Sequence, residues 1–170
     1  MRMIDATEFL AEEFAREKHN ATGVMYNDKP YFDGHVTLVR GVLNEFGFTS
    51  GVWGARANLH DVLEDCGVTR EELREKFGWE VELPVFCVSG FGETRKIRNA
   101  DQYRKIKAYT EIMDDNAAPI VKIGDRIVNV EQSSPQYRKM YEREMADFSA
   151  VTRPFVPEDM WNRLERAFET

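Results

Sequence analysis

The chain has 170 residues, of which 42% are hydrophobic and 31% are charged, and its formal net charge is −7. This length and composition indicate a folded globular domain and exclude a disordered chain. The acidic balance argues against nonspecific nucleic-acid binding, because that mode needs a dense basic surface.

Helical periodicity dominates the first half of the chain. A capping box that begins at Asp5 predicts the start of a first helix, on which Phe9 and Leu10 should face the core. A loop rich in turn residues then leads to a second helix, which carries His35 and ends near residue 47. Two further helices are predicted over residues 50–67 and 69–77.

The second half of the chain is also predicted to be helical. Residues 80–89 alternate in a way that allows a strand, but Pro84 and the helical surroundings favour a helix that bends or begins at that proline. A polar loop follows, and Asn99 is expected to cap a helix that extends to Ile112. The remaining predicted helices span residues 117–130, 134–148 and 157–168. The sequence therefore predicts an all-α single domain over residues 1–170.

Two features predict the location of the protein. No N-terminal segment resembles a signal peptide, and no apolar run reaches the ~18 residues expected of a membrane span. Cys66 and Cys87 follow no metal-ligand spacing and suggest no disulfide framework. We therefore expect a soluble protein of the reducing cytoplasm.

Side chains that could bind a metal lie in three of the predicted helices. His35 is in the second, His60 and Asp61 are adjacent in the third, and Asp125 lies in a later apolar run. Such a set of nitrogen and oxygen ligands suits one divalent metal, and it suits Mn²⁺ or Fe²⁺ better than structural Zn²⁺, which prefers thiolates. Open coordination positions on that metal would permit hydrolytic chemistry. The remaining histidine, His19, has no evident partner and is expected to be structural or exposed.

Two further carboxylates follow the His-Asp pair at helical spacing. Glu64 and Asp65 each lie four residues after one member of the pair, and so one turn beyond it on a helix. From there they could orient the attacking water, take its proton or protonate a leaving group.

Both features also have structural interpretations. A carboxylate that faces a core is costly unless it is paired, so Asp125 could instead form an ion pair with Arg126 or Arg40. Glu64 and Asp65 could equally be the solvated acidic end of a helix.

Three segments, taken in order along the chain, match the pattern of a known family. They are Pro30-Tyr31 before His35, the run His60-Asp61-Val62-Leu63-Glu64-Asp65, and Lys122-Ile123-Gly124-Asp125-Arg126-Ile127-Val128-Asn129. They resemble the Pro-Tyr-Ile-x-His, His-Asp-Val-x-Glu-Asp and Lys-Leu-Ala-Asp-Arg-Leu-x-Asn segments of the HD-domain phosphohydrolases of the Rel/Spo alarmone family. The resemblance covers about residues 10–150, with the last predicted helix packed on that domain.

The resemblance implies an HD-type helical bundle in which the four ligand residues named above hold one Mn²⁺. Glu64 and Asp65 would then activate the attacking water. The family reaction removes the 3′-pyrophosphate of guanosine tetra- or pentaphosphate. Because a synthetase domain does not fit in 170 residues, the chain is similar to the small, hydrolase-only members. A metazoan relative of these is associated with removal of the 2′-phosphate of NADPH.

The region expected to recognise the nucleotide departs from the family pattern. An Arg-Lys pair that the family carries shortly before Pro-Tyr is replaced here by residues 24–28, and one extra residue separates Tyr31 from His35. Candidate substrate contacts are Asn129, which matches a nucleotide contact of the family, and Tyr26 or Met25, which could stack on a base. The basic residues available for phosphates, although such clusters are more often solvated surface, are Arg95, Lys96, Arg98, Arg104 and Lys105.

The sequence therefore predicts a Mn²⁺-dependent phosphohydrolase whose partner is a small-molecule nucleotide, most simply a ppGpp-like alarmone, and neither a nucleic acid nor a membrane. The alternative within the same chemistry is a phosphomonoesterase that acts on NADPH or a nucleotide monophosphate. A different alternative is a non-catalytic nucleotide sensor or partner-binding protein that has kept the metal site.

Overall fold

A computed structural model describes residues 5–169, so the first four residues and the last residue of the predicted domain lie outside the described part. The prediction of an all-α fold is confirmed. The α-helices are α1 (Ala6–Thr22), α2 (Thr37–Glu45), α3 (Gly51–Leu59), α4 (Val62–Asp65), α5 (Arg70–Phe77), α6 (Trp79–Val88), α7 (Arg95–Ile112), α8 (Ala117–Gln132), α9 (Pro135–Thr152) and α10 (Glu158–Glu169). Among the described residues, no helix is both long enough and apolar enough to cross a membrane.

Helix α8 is the axis of the bundle. Every side chain from Ala117 to Val128 is buried, because α2, α6, α9 and α10 pack around this helix. Leu43, Phe148 and Leu164 belong to the hydrophobic cluster that surrounds it. A second cluster, which includes Leu59, lies between α1, α3, α5 and α6.

The buried side of α1 differs from the prediction. Phe9 and Leu10 are exposed, by 52% and 58%, so the expectation that they face the core is wrong. The buried side instead carries Ala11, Ala15 and His19. Small side chains at a spacing of four residues let α1 approach α3 closely, and they give a weaker hydrophobic signal than the aromatic residues beside them.

Several helix boundaries also differ from the prediction. The third predicted helix is interrupted after Leu59, and α4 begins only at Val62. Residues 79–88 are helical as favoured, but α6 contains Pro84 in its interior. Helix α7 begins at Arg95 and not after Asn99, because the Thr94 hydroxyl accepts a hydrogen bond from the backbone N–H three residues later and caps the helix there.

A β-hairpin leads the chain into the second helix. Its strands, β1 (Met25–Tyr26) and β2 (Lys29–Pro30), are antiparallel and are joined by a turn with positive φ at both central residues. A π-helix over Phe32–Val36 follows directly and carries His35. The backbone N–H of Thr37 donates to the carbonyl of Phe32, five residues earlier. A π-turn holds one residue more than an α-turn, so it accommodates the extra residue between Tyr31 and His35.

Alanine substitutions at two glycines, one at the contact between the hairpin and the π-helix and one away from it, test how tightly the two elements pack. A Cβ at Gly34 would lie 2.5 Å from the carbonyl oxygen of Tyr26, whereas a Cβ at Gly41, in α2, would meet nothing within 4 Å. We expect Gly34→Ala to lower the free energy of unfolding by about 1–3 kcal/mol, because the hairpin must shift. Gly41→Ala should raise it by about 0.5–1 kcal/mol, because alanine favours a helix interior. Urea unfolding of both variants measures the difference, and equal stabilities would mean that the hairpin does not pack as described.

Candidate metal centre

Four side chains from three parts of the fold converge on one point. His35, His60, Asp61 and Asp125 each offer one nitrogen or oxygen atom, and these atoms all lie within 4.8 Å of one another. The Nε2 atoms of the two histidines are 3.3 Å apart. Asp125 Oδ1 lies 3.2 Å from His35 Nε2, and Asp61 Oδ2 lies 2.9 Å from His60 Nε2. The structure therefore brings together all four ligands that the sequence predicted.

The interruption between α3 and α4 orients the His-Asp pair. His60 follows the last residue of α3 and Asp61 precedes α4, so the pair lies at the break between the two helices. His60 Nδ1 lies 2.7 Å from the carbonyl oxygen of Ala57. Because a carbonyl oxygen only accepts, Nδ1 carries a hydrogen, and Nε2 faces the centre, where it can give up its proton and bind a metal through its lone pair.

The charges at this point favour a bound cation. Although burial disfavours its charged form, Asp61 and Asp125 raise the pKa of His60 to about 9. Burial likewise opposes ionisation of Asp61, yet His60 holds the pKa of that carboxyl well below its usual range. The centre thus attracts positive charge, and its nitrogen and oxygen donors suit a divalent metal.

Asp125 is fixed by two neighbours on its own helix. Lys122 Nζ donates to its Oδ2 at 2.9 Å, and Asn129 Nδ2 donates to its Oδ1 at 2.6 Å. Burial acts against ionisation, but Lys122 holds the pKa of Asp125 well below its usual range. The sequence interpretation that paired Asp125 with Arg126 or Arg40 is wrong, because both arginines bind other carboxylates.

A polar cavity of about 190 Å³ opens beside the four ligands. Glu64 is half-buried in its wall, where its Oε2 accepts hydrogen bonds from the backbone N–H of Gly90 at 3.0 Å and from the Gln102 side chain at 3.4 Å. Asp65 lies at the exposed edge of the same wall. Both carboxylates therefore face the cavity rather than simply forming a solvated end of a helix.

The pKa values of these two carboxyl groups are raised. Burial and the charge of Asp61 raise the pKa of Glu64. Burial, Asp61 and Glu64 raise the pKa of Asp65 to about 7. A carboxyl group with such a pKa exchanges protons readily at neutral pH.

Four cationic side chains, here called the cationic wall, also line the cavity, and the sequence had indicated two of them, Arg95 and Arg98, as basic residues available for phosphates. It consists of Arg95, Arg98, Lys122 and Arg126. The two residues Arg95 and Arg126 both bind Glu144, which lies on α9. Because α7 begins at Arg95, residues three, four and seven positions later share its side of the helix and also line the cavity. A correct placement of the Thr94 cap would have revealed this side.

The structure does not bring Lys96 or Arg104 to this cavity. Each residue of an α-helix is rotated by about 100° from the last, so Lys96 points away from the side that Arg95 and Arg98 share, and Arg104 lies on the opposite side. Lys96 borders a separate groove on the outer surface. Arg104 is 73% exposed and binds Asp101.

The other two predicted substrate contacts lie next to the cavity. Asn129 borders both this cavity and a neighbouring one of about 310 Å³, and Tyr26 lines the second. The Tyr26 hydroxyl lies 3.4 Å from Asn129 Oδ1. The described side chains that line the second cavity are all uncharged, and they include Tyr137 and Tyr141.

The chain is similar in sequence to much longer proteins, although no protein-family model matches it. It is 36% identical over 121 residues to a guanosine-3′,5′-bis(diphosphate) 3′-pyrophosphohydrolase of Aquifex aeolicus, a match that covers 71% of this chain and 17% of that protein. It is 30% identical to the protein of the same name from Spiroplasma citri, over 83% of this chain and 19% of that one. The chain therefore spans less than a fifth of the length of these relatives.

A solved structure shares the fold along almost the entire chain. That structure carries the description of a metazoan ortholog of SpoT that hydrolyzes ppGpp. It superposes with a TM-score of 0.79 and covers 99% of this chain and 97% of its own, at 19% sequence identity. The likeness confirms the predicted HD-type helical bundle.

The raised pKa of Asp65 predicts a pH dependence of stability in the metal-free protein. Because the folded pKa of about 7 lies above the ordinary value, Asp65 contributes stability at low pH that is lost as the pH rises towards 7. Solvent screens the charge at this exposed position, so the effect is modest. We expect the free energy of unfolding of Asp65→Asn to exceed that of the wild type by about 1 kcal/mol at pH 8. The two proteins should converge near pH 4. Urea titrations across this pH range measure the gap, and a constant gap would contradict the assignment.

Proposed function

The chain belongs to the Rel/Spo family of HD-type hydrolases, and we propose that it removes the 3′-pyrophosphate of a ppGpp-like nucleotide in a Mn²⁺-dependent reaction. The proposal is supported mainly by one observation: the four-ligand cluster adjoins a cavity that is also lined by Glu64, Asp65 and four cationic side chains. We further propose a cytoplasmic location, with which the free thiols of Cys66 and Cys87 are compatible.

The metal would be held by His35, His60, Asp61 and Asp125. Their donor set, two imidazoles and two carboxylates without a thiolate, is suited to Mn²⁺, and Fe²⁺ is the alternative. When bound, the ion supplies a Lewis acid for the phosphate and lowers the pKa of water.

Glu64 and Asp65 divide the proton transfers between them. Both hydrogen bonds to Glu64 go to Oε2, which leaves Oε1 to take the proton of the attacking water. The water oxygen bonds to the phosphorus attached to the ribose 3′-oxygen, and the bond between that phosphorus and the 3′-oxygen breaks. Asp65, which lines the same cavity, then donates a proton to the departing 3′-oxygen. Pyrophosphate and a free 3′-hydroxyl are the products.

The cationic wall would bind the phosphates. Arg126 is buried and Arg95 lies beside it, and both are held by the carboxylate of Glu144. Their positive charge offsets the charge that a pyrophosphate brings into the cavity. The Nε of Arg98 lies 3.9 Å from Glu64 Oε1, so Arg98 would contact the phosphoryl group at which the water attacks.

The uncharged cavity would hold the base. Tyr26 and Tyr141 offer aromatic faces for stacking, and Asn129, which both cavities share, offers an amide for hydrogen bonding. In this chain these residues take the place of the charged Arg-Lys pair that the family carries before Pro-Tyr. Base recognition would then depend on stacking and neutral hydrogen bonds.

A product assay on Mn²⁺-loaded protein tests the proposed reaction. The panel comprises 3′-pyrophosphorylated guanosine and adenosine nucleotides, NADPH and nucleoside monophosphates, with products identified by mass. We expect pyrophosphate from the first class, and a kcat lowered by about 10²–10⁴-fold in Glu64→Gln, because the proton acceptor is lost. The thermal stability and metal content of this variant should stay close to those of the wild type.

Other results of the assay would replace the proposal. Orthophosphate released from NADPH or a monophosphate would indicate a phosphomonoesterase. No turnover across the panel, with metal and nucleotide both bound, would indicate a non-catalytic sensor.

Two arginines on the same helix test the cationic wall. We expect Arg98→Gln to raise the KM for the nucleotide by about 10–100-fold, because a charged hydrogen bond to a phosphate contributes about 1.5–3 kcal/mol. The matched control is Arg104→Gln, which removes the same charge from the opposite side of α7. Steady-state kinetics should show an unchanged KM for the control, and equal effects in both variants would point to general electrostatics instead of a phosphate site.

A further inference from the structure

Asp61 occupies a backbone position that does not by itself fix its carboxylate. It lies in the gap between α3 and α4, with φ −107° and ψ −4°, and it makes no side-chain cap to the helix that follows. Asp125, in contrast, is held on a continuous helix by Lys122 and Asn129. The orientation of Asp61 therefore depends on contacts from other parts of the chain.

Tyr31 supplies the closest of these contacts. Its hydroxyl donates to Asp61 Oδ2 at 2.5 Å, and this is the same oxygen that lies 2.9 Å from His60 Nε2. A carboxylate oxygen has two lone pairs, so Oδ2 can accept from Tyr31 and keep a second lone pair for a cation. The hydrogen bond joins the hairpin end of the fold to a ligand that is 30 residues away in the chain.

The ring of Tyr31 is itself held in place. Its backbone N–H donates to the carbonyl of Val24 at 3.0 Å, which ties it to the hairpin. On one face, His19 stacks on it with ring centres 4.9 Å apart and planes 29° apart. His35 and Tyr26 contact it at 5.1 Å and 5.9 Å between ring centres.

His19 connects this ring to two other helices. It lies in the last turn of α1 and is fully buried, so of the two expectations from sequence, structural or exposed, the structural one holds. Its Nδ1 lies 3.4 Å from the sulfur of Cys66, the residue that follows α4. Burial lowers the pKa of His19 to about 4, so the ring is neutral at physiological pH and packs as an aromatic side chain.

We propose that Tyr31 is a positioning residue that sets the orientation of the Asp61 carboxylate for metal binding, and that His19 holds Tyr31 in the required pose. The inference rests on the metal site of the proposed function. Hydrogen bonds to metal-binding side chains contribute to metal affinity through the orientation of the ligand, and their loss typically costs 10–100-fold in affinity.

A pair of tyrosine variants tests the proposal. Tyr31→Phe removes the hydroxyl and keeps the ring. Its matched control is Tyr109→Phe, because the Tyr109 hydroxyl donates to Asp115 Oδ2 at the same distance of 2.5 Å, outside the metal centre. The Kd for Mn²⁺ is measured by electron paramagnetic resonance of the free ion, without substrate. We expect Tyr31→Phe to raise this Kd by 10–100-fold and Tyr109→Phe to leave it within about twofold of the wild type.

Two histidine variants test the second half of the proposal with the Tyr31 hydroxyl present. His19→Ala removes the stacked ring and should also raise the Kd for Mn²⁺, whereas His19→Phe restores a ring and should return the Kd towards the wild-type value. Circular dichroism of each metal-free variant verifies that the fold is retained. These variants give an independent answer if Tyr31→Phe does not fold.

The outcomes separate this inference from the proposed function. A wild-type protein that binds Mn²⁺ and a Tyr31→Phe variant that binds it equally well would overturn the positioning role and leave the proposed function intact. An equal rise in Kd for Tyr31→Phe and Tyr109→Phe would also overturn it, since the effect would then be one of general stability. A wild type that binds no Mn²⁺ would overturn both.

Discussion

The structure depends on keeping two carboxylates, Asp61 and Asp125, close together at the join of two hydrophobic clusters. Like charges at this separation repel, and burial strengthens the repulsion because it removes water. Lys122 supplies positive charge at this point, and the two imidazoles there could bind a metal ion that balances the remaining negative charge. Three features of the fold bring side chains to this one point. They are the interruption after α3, the π-helix that carries His35, and the central position of α8.

The cavity is locally balanced although the chain as a whole is acidic. Four carboxylates and four cationic side chains line it. Arg95 and Arg126 pair with Glu144, which is not one of these four carboxylates, so the two arginines form a basic end of the site that suits phosphate. Glu144 maintains the basic end from outside, because it binds two arginines that would otherwise repel each other. Net charge alone therefore says little about what such a protein binds.

The sequence was sufficient to predict the fold class and the residues that form the four-ligand cluster, because helical periodicity and side-chain chemistry are local properties. The cationic wall was predicted only in part, because the sequence did not separate Arg95 and Arg98, which line the cavity, from the basic residues beside them. Thr94 and Asn99 are both competent caps, and choosing the later one shortens α7 and removes Arg95 and Arg98 from it. The exposed position of Phe9 was missed because small residues, which carry a weak signal, decide the packing of α1. Tyr31 and His19 were undervalued since their contacts are made only in the folded chain.

The π-helix also has a consequence for recognising related chains. Its additional residue widens one turn and leaves the direction of the histidine side chain to be set by packing on the hairpin. The segment between the tyrosine and the histidine can therefore gain or lose one residue while the histidine stays at the metal centre. A pattern search with a fixed spacing would pass over such chains, and an ungapped alignment would pair the histidine with its neighbour. Searches that allow a gap of one residue at this turn, and score the tyrosine and the histidine separately, would find these chains.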